Sequence, residues 1–190
     1  MLIDKYNKLN FLIPVILLLI TIIPFQKINA ANFRINGNQI EFYGTIENGD
    51  AKLFERFLRS SEIKDFQDYQ VSLNSKGGNL YEGILIGNIF RDKELETVVK
   101  KNNGCYSACA IAFLGGTKSY TTGTGIGRNL EIGANLGFHG YSTKNESLIL
   151  FNEAIEISRV VNAMILQYAI EMEVSASLKF VRSKVEKLLL

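Results

Sequence analysis

Three short segments of this 190-residue chain hold residues that together can catalyse acyl transfer. Ser107 offers a hydroxyl nucleophile, and His139, the single histidine, is the residue type that most often acts as a general base near neutral pH. The adjacent Gly77 and Gly78 let a backbone N–H come close to a ligand and stabilise an oxyanion. Each feature alone is more typical of structure, as a glycine turn, a helix-capping serine or a histidine bonded to a backbone carbonyl. Their order and their spacings of 29 and 32 residues favour one shared site.

Two cysteines, Cys105 and Cys109, flank Ser107 at a spacing of one helical turn. In an oxidising compartment a disulfide between them would fix the serine loop. Two buried thiols fit the same pattern equally well, since cysteine packs as a small apolar residue. Two cysteines and one histidine are too few for a Cys/His zinc site. We expect no metal and no other cofactor.

The elements that must position these residues follow from the spacing of apolar side chains. Alternation and helical periodicity predict strands that alternate with helices, which favours a mainly parallel, right-handed α/β fold. Gly83 and Gly87 lie one turn apart on a predicted buried helix and would allow a close neighbour. The predicted strands are residues 39–46, 69–73, 96–99 and 135–139, and the predicted helices are residues 51–59 with Asp50 as N-cap, 80–90, 107–114, 148–172 and 176–189. Residues 74–79 are predicted to be a loop, and residues 118–134 a strand followed by a flexible loop.

The first 30 residues are typical of an export signal rather than of the fold. Lys5 and Lys8 precede an uncharged run of 15 residues, 11–25, and the small residues Ala30 and Ala31 follow. The run is shorter than the ~20 residues that a spanning helix needs, which favours a signal peptide cut after Ala30 over a permanent membrane anchor. We therefore expect one domain over residues 31–190 that is periplasmic or secreted, or else attached to the inner membrane through residues 11–25.

These motifs together resemble the Clp-protease/crotonase superfamily, and in particular its exported, Clp-like serine protease relatives in bacteria. The segment NSKGGNLYEGILIGNIF is similar to the family's strand–SPGG–helix unit, GCYSACAIAFLGG to its serine segment and LGFHG to its histidine segment. The resemblance implies repeated β-β-α units. It also implies Ser107 as nucleophile, His139 as base, and the N–H groups of Gly78 and Ala108 as the oxyanion hole.

Two positions depart from that family pattern. Lys76 stands where the family has proline, and no aspartate follows His139 to orient its imidazole, since the last one is Asp92. The site is then a Ser–His dyad, a triad completed by another residue, or a degenerate enzyme. The candidate third residues are Glu146, Asn152, Glu153 and Glu156. A Ser–Lys dyad with Lys118 or Lys144 is a further alternative.

The sequence thus predicts an exported serine peptidase, with a peptide or protein as substrate. The alternative is a catalytically degenerate module that binds peptides in the same groove or forms a homo-oligomer through its long C-terminal helix. Acyl-CoA chemistry of the crotonase type fits poorly with export. The net charge of +2 is too small and dispersed to indicate nucleic-acid binding. The glycine-rich residues 122–128 do not match a nucleotide-binding fingerprint and are interpreted as a mobile surface loop.

Overall fold

The computed structural model describes residues 30–139 and 151–174 of the chain. They form a mixed α/β structure in which strands and helices alternate, as expected. The strands are β1 (Asn32–Asn36), β2 (Gln39–Ile46), β3 (Gln70–Gly78), β4 (Glu96–Val99), β5 (Gly104–Tyr106), β6 (Thr117–Tyr120), β7 (Gly123–Ile126), β8 (Arg128–Leu130) and β9 (Asn135–Gly137). The helices are α1 (Asp50–Ser60), α2 (Leu80–Asp92), α3 (Ala108–Phe113) and α4 (Phe151–Glu171), with a single 3₁₀ turn at Phe66–Asp68.

The main sheet is mostly parallel and divides into two branches at β3. Strands β2, β3, β4 and β8 pair in parallel in that order, and β1 closes one edge as an antiparallel partner of β2. Strand β3 pairs with β4 as far as Ser72 and then with β5 at Ser75, and β5 pairs with β9. The second branch therefore leaves the main sheet just before Gly77 and Gly78, the glycines of the predicted site.

A cluster of phenylalanines joins the sheet to its helices. Phe42 of β2 packs against Phe54 of α1 and Phe90 of α2, with ring centroids 6.0 and 6.4 Å apart, and all three rings are buried. Burying one such ring contributes about 1.5–3 kcal/mol, so this cluster accounts for much of the attachment of α1 and α2 to the sheet. A smaller cluster of Ile84, Ile111, Tyr168 and Met172 attaches the C-terminal half of α4 to α2 and α3.

Glycines let α2 approach its neighbours closely, as their spacing predicts. A Cβ on Gly83 would lie 3.0 Å from the Cβ of Ala108, and one on Gly87 would lie 3.1 Å from the Ala112 carbonyl oxygen. Both contacts are with α3, which begins directly after Ser107. The close packing of α2 on α3 fixes the position of the helix that follows the candidate nucleophile.

Several predicted elements differ from those in the structure. Strand β3 continues to Gly78, so residues 74–79 are mostly strand rather than loop. Strands β1 and β5 were not predicted, and residues 118–134 contain β6, β7 and β8 instead of one strand and a flexible loop. Strands β5 to β8 are short and rich in glycine and polar residues, so they show little apolar alternation. Strand β1 does alternate, at Phe33 and Ile35, but over only five residues directly after the predicted signal segment.

Other expectations fall on residues that the structure does not describe. These are the signal segment over residues 1–29, the predicted helix over residues 176–189, and the candidates Lys144 and Glu146. Within residues 30–139 and 151–174, no helix has the length and apolar character needed to cross a membrane.

Candidate active site

Ser107 forms the whole connection between β5 and α3, and its backbone is strained. It has φ 56° and ψ −124°, a combination that non-glycine residues rarely adopt and that costs about 1–3 kcal/mol. Its side chain makes no hydrogen bond to the helix that it precedes, so the capping role typical of serine at this position is not realised. The residue is half-buried, and its N–H donates to the Gly137 carbonyl oxygen at 2.9 Å. A strained serine in a sharp strand-to-helix turn, with a side chain that does not cap the helix, is the arrangement that exposes a nucleophilic hydroxyl in some hydrolases.

Gly77 lies directly against this serine turn. A Cβ added to Gly77 would overlap the Tyr106 carbonyl oxygen, and would lie 2.8 Å from the Cβ of Ser107 and 2.9 Å from the Ala108 nitrogen. Gly77 and Gly78 both have positive φ, at 88° and 146°, so glycine is required here by conformation as well as by space. The structure thus brings Gly77 together with Ser107 and Ala108, about 30 residues further along the chain, while Gly78 packs against Ile46 of β2.

The two cysteines form a disulfide across the serine turn. Cys105 and Cys109 are bonded, with their Cα atoms 5.2 Å apart, and both are buried. Cys105 lies on β5 and Cys109 in the first turn of α3, so the covalent link holds the two elements that Ser107 joins. The bond therefore restricts how far the strained turn can relax.

His139 follows β9, the strand that pairs with β5. Cys105 is paired with Leu136 and Tyr106 with Gly137, so Ser107 and His139 both lie just beyond the carboxyl ends of neighbouring parallel strands. His139 is exposed. Parallel pairing places residues that follow such strand ends at one edge of a sheet, which is the usual location of sites in α/β proteins.

The alternative bases and third residues are placed less favourably. The Lys118 ammonium contacts the Glu96 carboxylate at 2.5 Å, and this hydrogen bond and charge raise the pKa of Lys118, opposite to what a neutral lysine base requires. Glu156 is exposed on α4 and pairs with Arg159 at 2.8 Å. Asn152 and Glu153 lie at the start of the same helix.

The partners of two buried carboxylates at the start of α1, Glu82 and Asp50, were not predicted. Glu82 of α2 accepts the N–H groups of Gly49 and Ala51, both at 2.9 Å, and thereby caps α1. Asp50, predicted as the N-cap, is instead the first residue of α1, and its side chain accepts N–H groups from Glu47 and Ala31. The one available signal was an acid within the apolar segment 80–90, since a buried carboxylate needs partners.

A polar groove lies apart from the serine turn. Its volume is about 390 Å³, and neither Ser107 nor His139 lines it. The groove is lined by side chains of β1, β2, β3 and the β4–β5 connection, namely Arg34, Glu41, Phe42, Tyr43, Ser72, Asn74, Lys100 and Asn103. In the described part of the chain, no group of three or more His, Cys, Asp and Glu residues is arranged to hold a metal ion.

Comparisons with known proteins show a distant structural likeness. No protein-family model and no curated protein matches the chain. A solved structure of methylmalonyl-CoA decarboxylase matches with a TM-score of 0.34 and 5% identity, over 45% of this chain. The chain spans 42% of that protein's length.

Proposed function

We propose that the chain is an exported serine peptidase of the Clp/crotonase type, built from that superfamily's repeated β-β-α units. In it, Ser107 is the nucleophile and His139 the general base. The observation that carries the proposal is the backbone of Ser107, at φ 56° and ψ −124°, with a side chain that caps nothing. Strain of this size persists only where surrounding structure maintains it, and such residues concentrate at active sites.

The oxyanion hole is assigned to the N–H groups of Gly78 and Ala108. Gly77 is less suitable because its N–H already donates to the Ser75 hydroxyl at 3.0 Å. Gly78 is the exposed residue at the end of β3, directly after Gly77, and the resemblance to the Clp/crotonase superfamily assigns its N–H to the hole. Ala108 is the first residue of α3, where backbone N–H groups lack intrahelical acceptors. Two donors from separate elements then meet one developing negative charge.

The reaction is acyl transfer in two steps. The Ser107 oxygen attacks the substrate carbonyl carbon while His139 takes the hydroxyl proton, and the carbonyl oxygen becomes an oxyanion held by the two N–H groups. Collapse breaks the C–N bond, and His139 gives its proton to the leaving amine. Water then hydrolyses the ester on Ser107 by the same route and restores the serine. The disulfide keeps the serine turn in place through both steps.

The substrate is proposed to bind as an added strand. Beyond Ser75, the edge of β3 opposite to β2 pairs with no other strand in the described part of the chain. Lys76 and Gly78 are exposed there, while Gly77 between them is packed against the serine turn. An extended peptide that pairs there gains main-chain hydrogen bonds and brings its carbonyl groups to the site. Because export removes the chain from the cytoplasm, the substrates are peptides or proteins of the periplasm or medium.

The second candidate is a degenerate module that assembles with copies of itself. It is favoured by apolar side chains that α4 leaves exposed, at Ile157, Val160, Leu166 and Ile170. It is also favoured by the absence of an aspartate after His139, since loss of the orienting acid can lower kcat about 10⁴-fold. In this reading α4 forms the interface and Ser107 performs no chemistry.

Labelling with a fluorophosphonate probe separates the two candidates. The probe reacts with an activated serine, so we expect the native protein to be labelled and Ser107→Ala to lose at least ~10³-fold in labelling rate. Ser119→Ala, a serine on β6, is the matched control and is expected to label at the native rate. Equal labelling of native protein and Ser107→Ala would remove Ser107 as the nucleophile.

A thermal melt guards against a trivial loss of labelling. Ser107 makes no capping hydrogen bond, so Ser107→Ala is expected to melt within about 2 °C of the native protein. His139→Ala should lower the labelling rate as strongly as Ser107→Ala, because the base and nucleophile act as a unit. Native-rate labelling of His139→Ala would contradict the assigned base.

A further inference from the structure

A buried carboxylate receives the backbone N–H of Ala31. The Ala31 nitrogen lies 3.0 Å from Asp50 Oδ2, and the Glu47 nitrogen lies 2.7 Å from the same oxygen. Asp50 is 1% exposed and Ala31 is 8% exposed, so the contact is closed to solvent. The second oxygen, Asp50 Oδ1, is buried and has no hydrogen-bond partner in the described part of the chain. A buried carboxylate with one oxygen unsatisfied is costly, and such groups usually have a further donor.

The charged groups around Asp50 are negative, so a cation would be stabilised next to it. The charged groups that face it are Glu47 in its own turn and Glu82 on α2, and both are acids. Asp50 is in no ion pair within the described residues. Burial raises the pKa of this carboxyl, and the two neighbouring acids raise it further against the hydrogen bonds from Glu47 and Ala31. Asp50 therefore lies in a buried, acidic environment, which favours a positive charge on the Ala31 nitrogen that donates to it.

The sequence supplies that charge at the same nitrogen. The export signal predicts a cut between Ala30 and Ala31, because the small Ala30 ends the segment that follows the apolar run. Hydrolysis of this peptide bond by water leaves a carboxylate on Ala30 and an α-ammonium on Ala31. The nitrogen that donates to Asp50 in the structure is thus the nitrogen that becomes charged on processing.

We propose that Asp50 is the binding site for the α-ammonium of Ala31, created when the signal segment is removed between Ala30 and Ala31. The ammonium has three donors where the peptide nitrogen has one, so it can serve Oδ1 as well as Oδ2. Processing converts an incompletely bonded carboxylate into a buried ion pair. This site is independent of the serine chemistry proposed above, and its test requires no catalytic activity.

The proposed ammonium site lies next to Gly78, whose N–H is assigned to the oxyanion hole. Glu47, which donates to Asp50, follows Ile46, whose carbonyl accepts the Asn79 N–H directly after the glycine pair. Glu82, whose side chain caps the same turn, lies in the first turn of α2, directly after Asn79. The ion pair therefore stiffens the turn against which Gly78 is packed.

The first arm of the test locates the N-terminus. The full chain is expressed with export in a bacterial host, and the purified protein is weighed by mass spectrometry. We expect the chain to begin at Ala31. A chain that begins elsewhere, or that retains residues 1–30, would overturn the proposal.

The second arm measures the ion pair by its pH dependence. The protein beginning at Ala31 is compared with one that retains Ala30, released from a removable fusion. Pairing raises the pKa of the Ala31 ammonium above the ordinary ~7.7–8.0 of an α-amino group. The stabilisation is then complete below pH ~7.7 and is lost as pH rises through the raised value, so Tm of the Ala31 protein falls between about pH 8 and 10. The Ala30 protein, which offers Asp50 only a neutral N–H, is expected to show no such fall.

The third arm replaces the carboxylate. Asp50→Asn leaves an unpaired buried ammonium in the Ala31 protein and should lower its Tm by about 5–10 °C at pH 7. In the Ala30 protein the same substitution removes an unpaired buried charge, so we expect a change of at most about 2 °C or a rise. Equal effects of Asp50→Asn in the two proteins, or parallel pH profiles, would overturn the proposal.

Discussion

Two helices of this molecule begin in contrasting ways. Helix α1 begins after Gly49, whose φ of 91° suits a glycine, and the carboxylate of Glu82 accepts the N–H groups of Gly49 and Ala51. Helix α3 begins after Ser107, a non-glycine residue at φ 56°, and its serine side chain caps nothing. The α1 start has a glycine at the left-handed position and a side chain that caps it, whereas the α3 start has a serine there and no side-chain cap from that serine.

The contrast separates a structural turn from a functional one. Capping contributes about 0.5–2 kcal/mol, so a serine at a helix start would normally be expected to cap. At Ser107 that stabilisation is forgone and strain is added, while the disulfide and the Gly77 contact hold the arrangement. Stability is given up at one start and provided at the other, as expected if only the α3 start performs chemistry.

Among variants that keep both Ser107 and His139, the largest effect is expected from a methyl group placed between Gly77 and the serine turn. In Gly77→Ala the new Cβ would overlap the Tyr106 carbonyl oxygen and press on Ser107 Cβ at 2.8 Å. Because the Tyr106 carbonyl oxygen belongs to the backbone, the serine turn must shift to make room. We therefore expect fluorophosphonate labelling to slow by ~10²-fold or more. The labelling reaction is quenched at a series of times, and in-gel fluorescence of the samples gives the rate.

Gly49→Ala is the matched control at the α1 start. Gly49 has a similar φ of 91°, but a Cβ there meets nothing within 4 Å. It should cost about 1–2 kcal/mol of stability from backbone strain alone and leave labelling within about threefold of native. If Gly77→Ala labels as fast as Gly49→Ala, the contact between the glycine loop and Ser107 has no functional role.

At the α1 start, the sequence predicted the helix correctly but not the side chain that caps it. The spacing of Phe54 and Leu58 indicated the helix, and both are buried. The side chain that caps α1 is Glu82, 31 residues beyond Ala51, and no local pattern encodes so distant a partner. Asp50 had the residue type of an N-cap, but its carboxylate is engaged by Ala31 and Glu47 instead.

At the α3 start, the sequence singled out candidate residues but did not predict the backbone conformation. Composition and spacing drew attention to Ser107, its cysteines and the glycine pair, because these residue types have known chemistry. Strand β5 has only three residues, too few for alternation to show, so the sharp strand-to-helix turn could not be foreseen. The proximity of Gly77 to Ser107 depends on the division of the sheet at β3, which is a long-range property.

A smaller effect is expected from removing the disulfide. A bridge that closes so short a loop restricts the unfolded chain little, and the chain-entropy relation gives about 2 kcal/mol for Cys105 and Cys109. Its main role is then to hold the strained turn, so the double variant Cys105→Ala/Cys109→Ala should label about 10-fold more slowly while remaining folded. Labelling rate and Tm are measured on the same samples, with and without dithiothreitol.

Reduction of the native protein provides the check on that interpretation. Dithiothreitol should slow labelling of native protein to the rate of the double variant and leave the double variant unchanged. If reduction lowers Tm but not the labelling rate, the disulfide stabilises the fold without shaping the serine turn.

The smallest effect on chemistry is expected at the α1 start. Glu82→Gln keeps the shape but replaces one accepting oxygen by an NH₂ group, so one of the N–H groups of Gly49 and Ala51 loses its acceptor. We expect a loss of about 1–3 kcal/mol in urea unfolding and a labelling rate within threefold of native. Glu55→Gln, which removes only the exposed Glu55–Arg59 pair at 3.2 Å, should cost less than about 0.5 kcal/mol. If Glu82→Gln loses stability but labels normally, while the cysteine variant labels slowly but stays stable, the α1 start serves structure and the α3 start serves chemistry. If Glu82→Gln labels 10-fold more slowly, the two helix starts are instead coupled through the turn at Asn79.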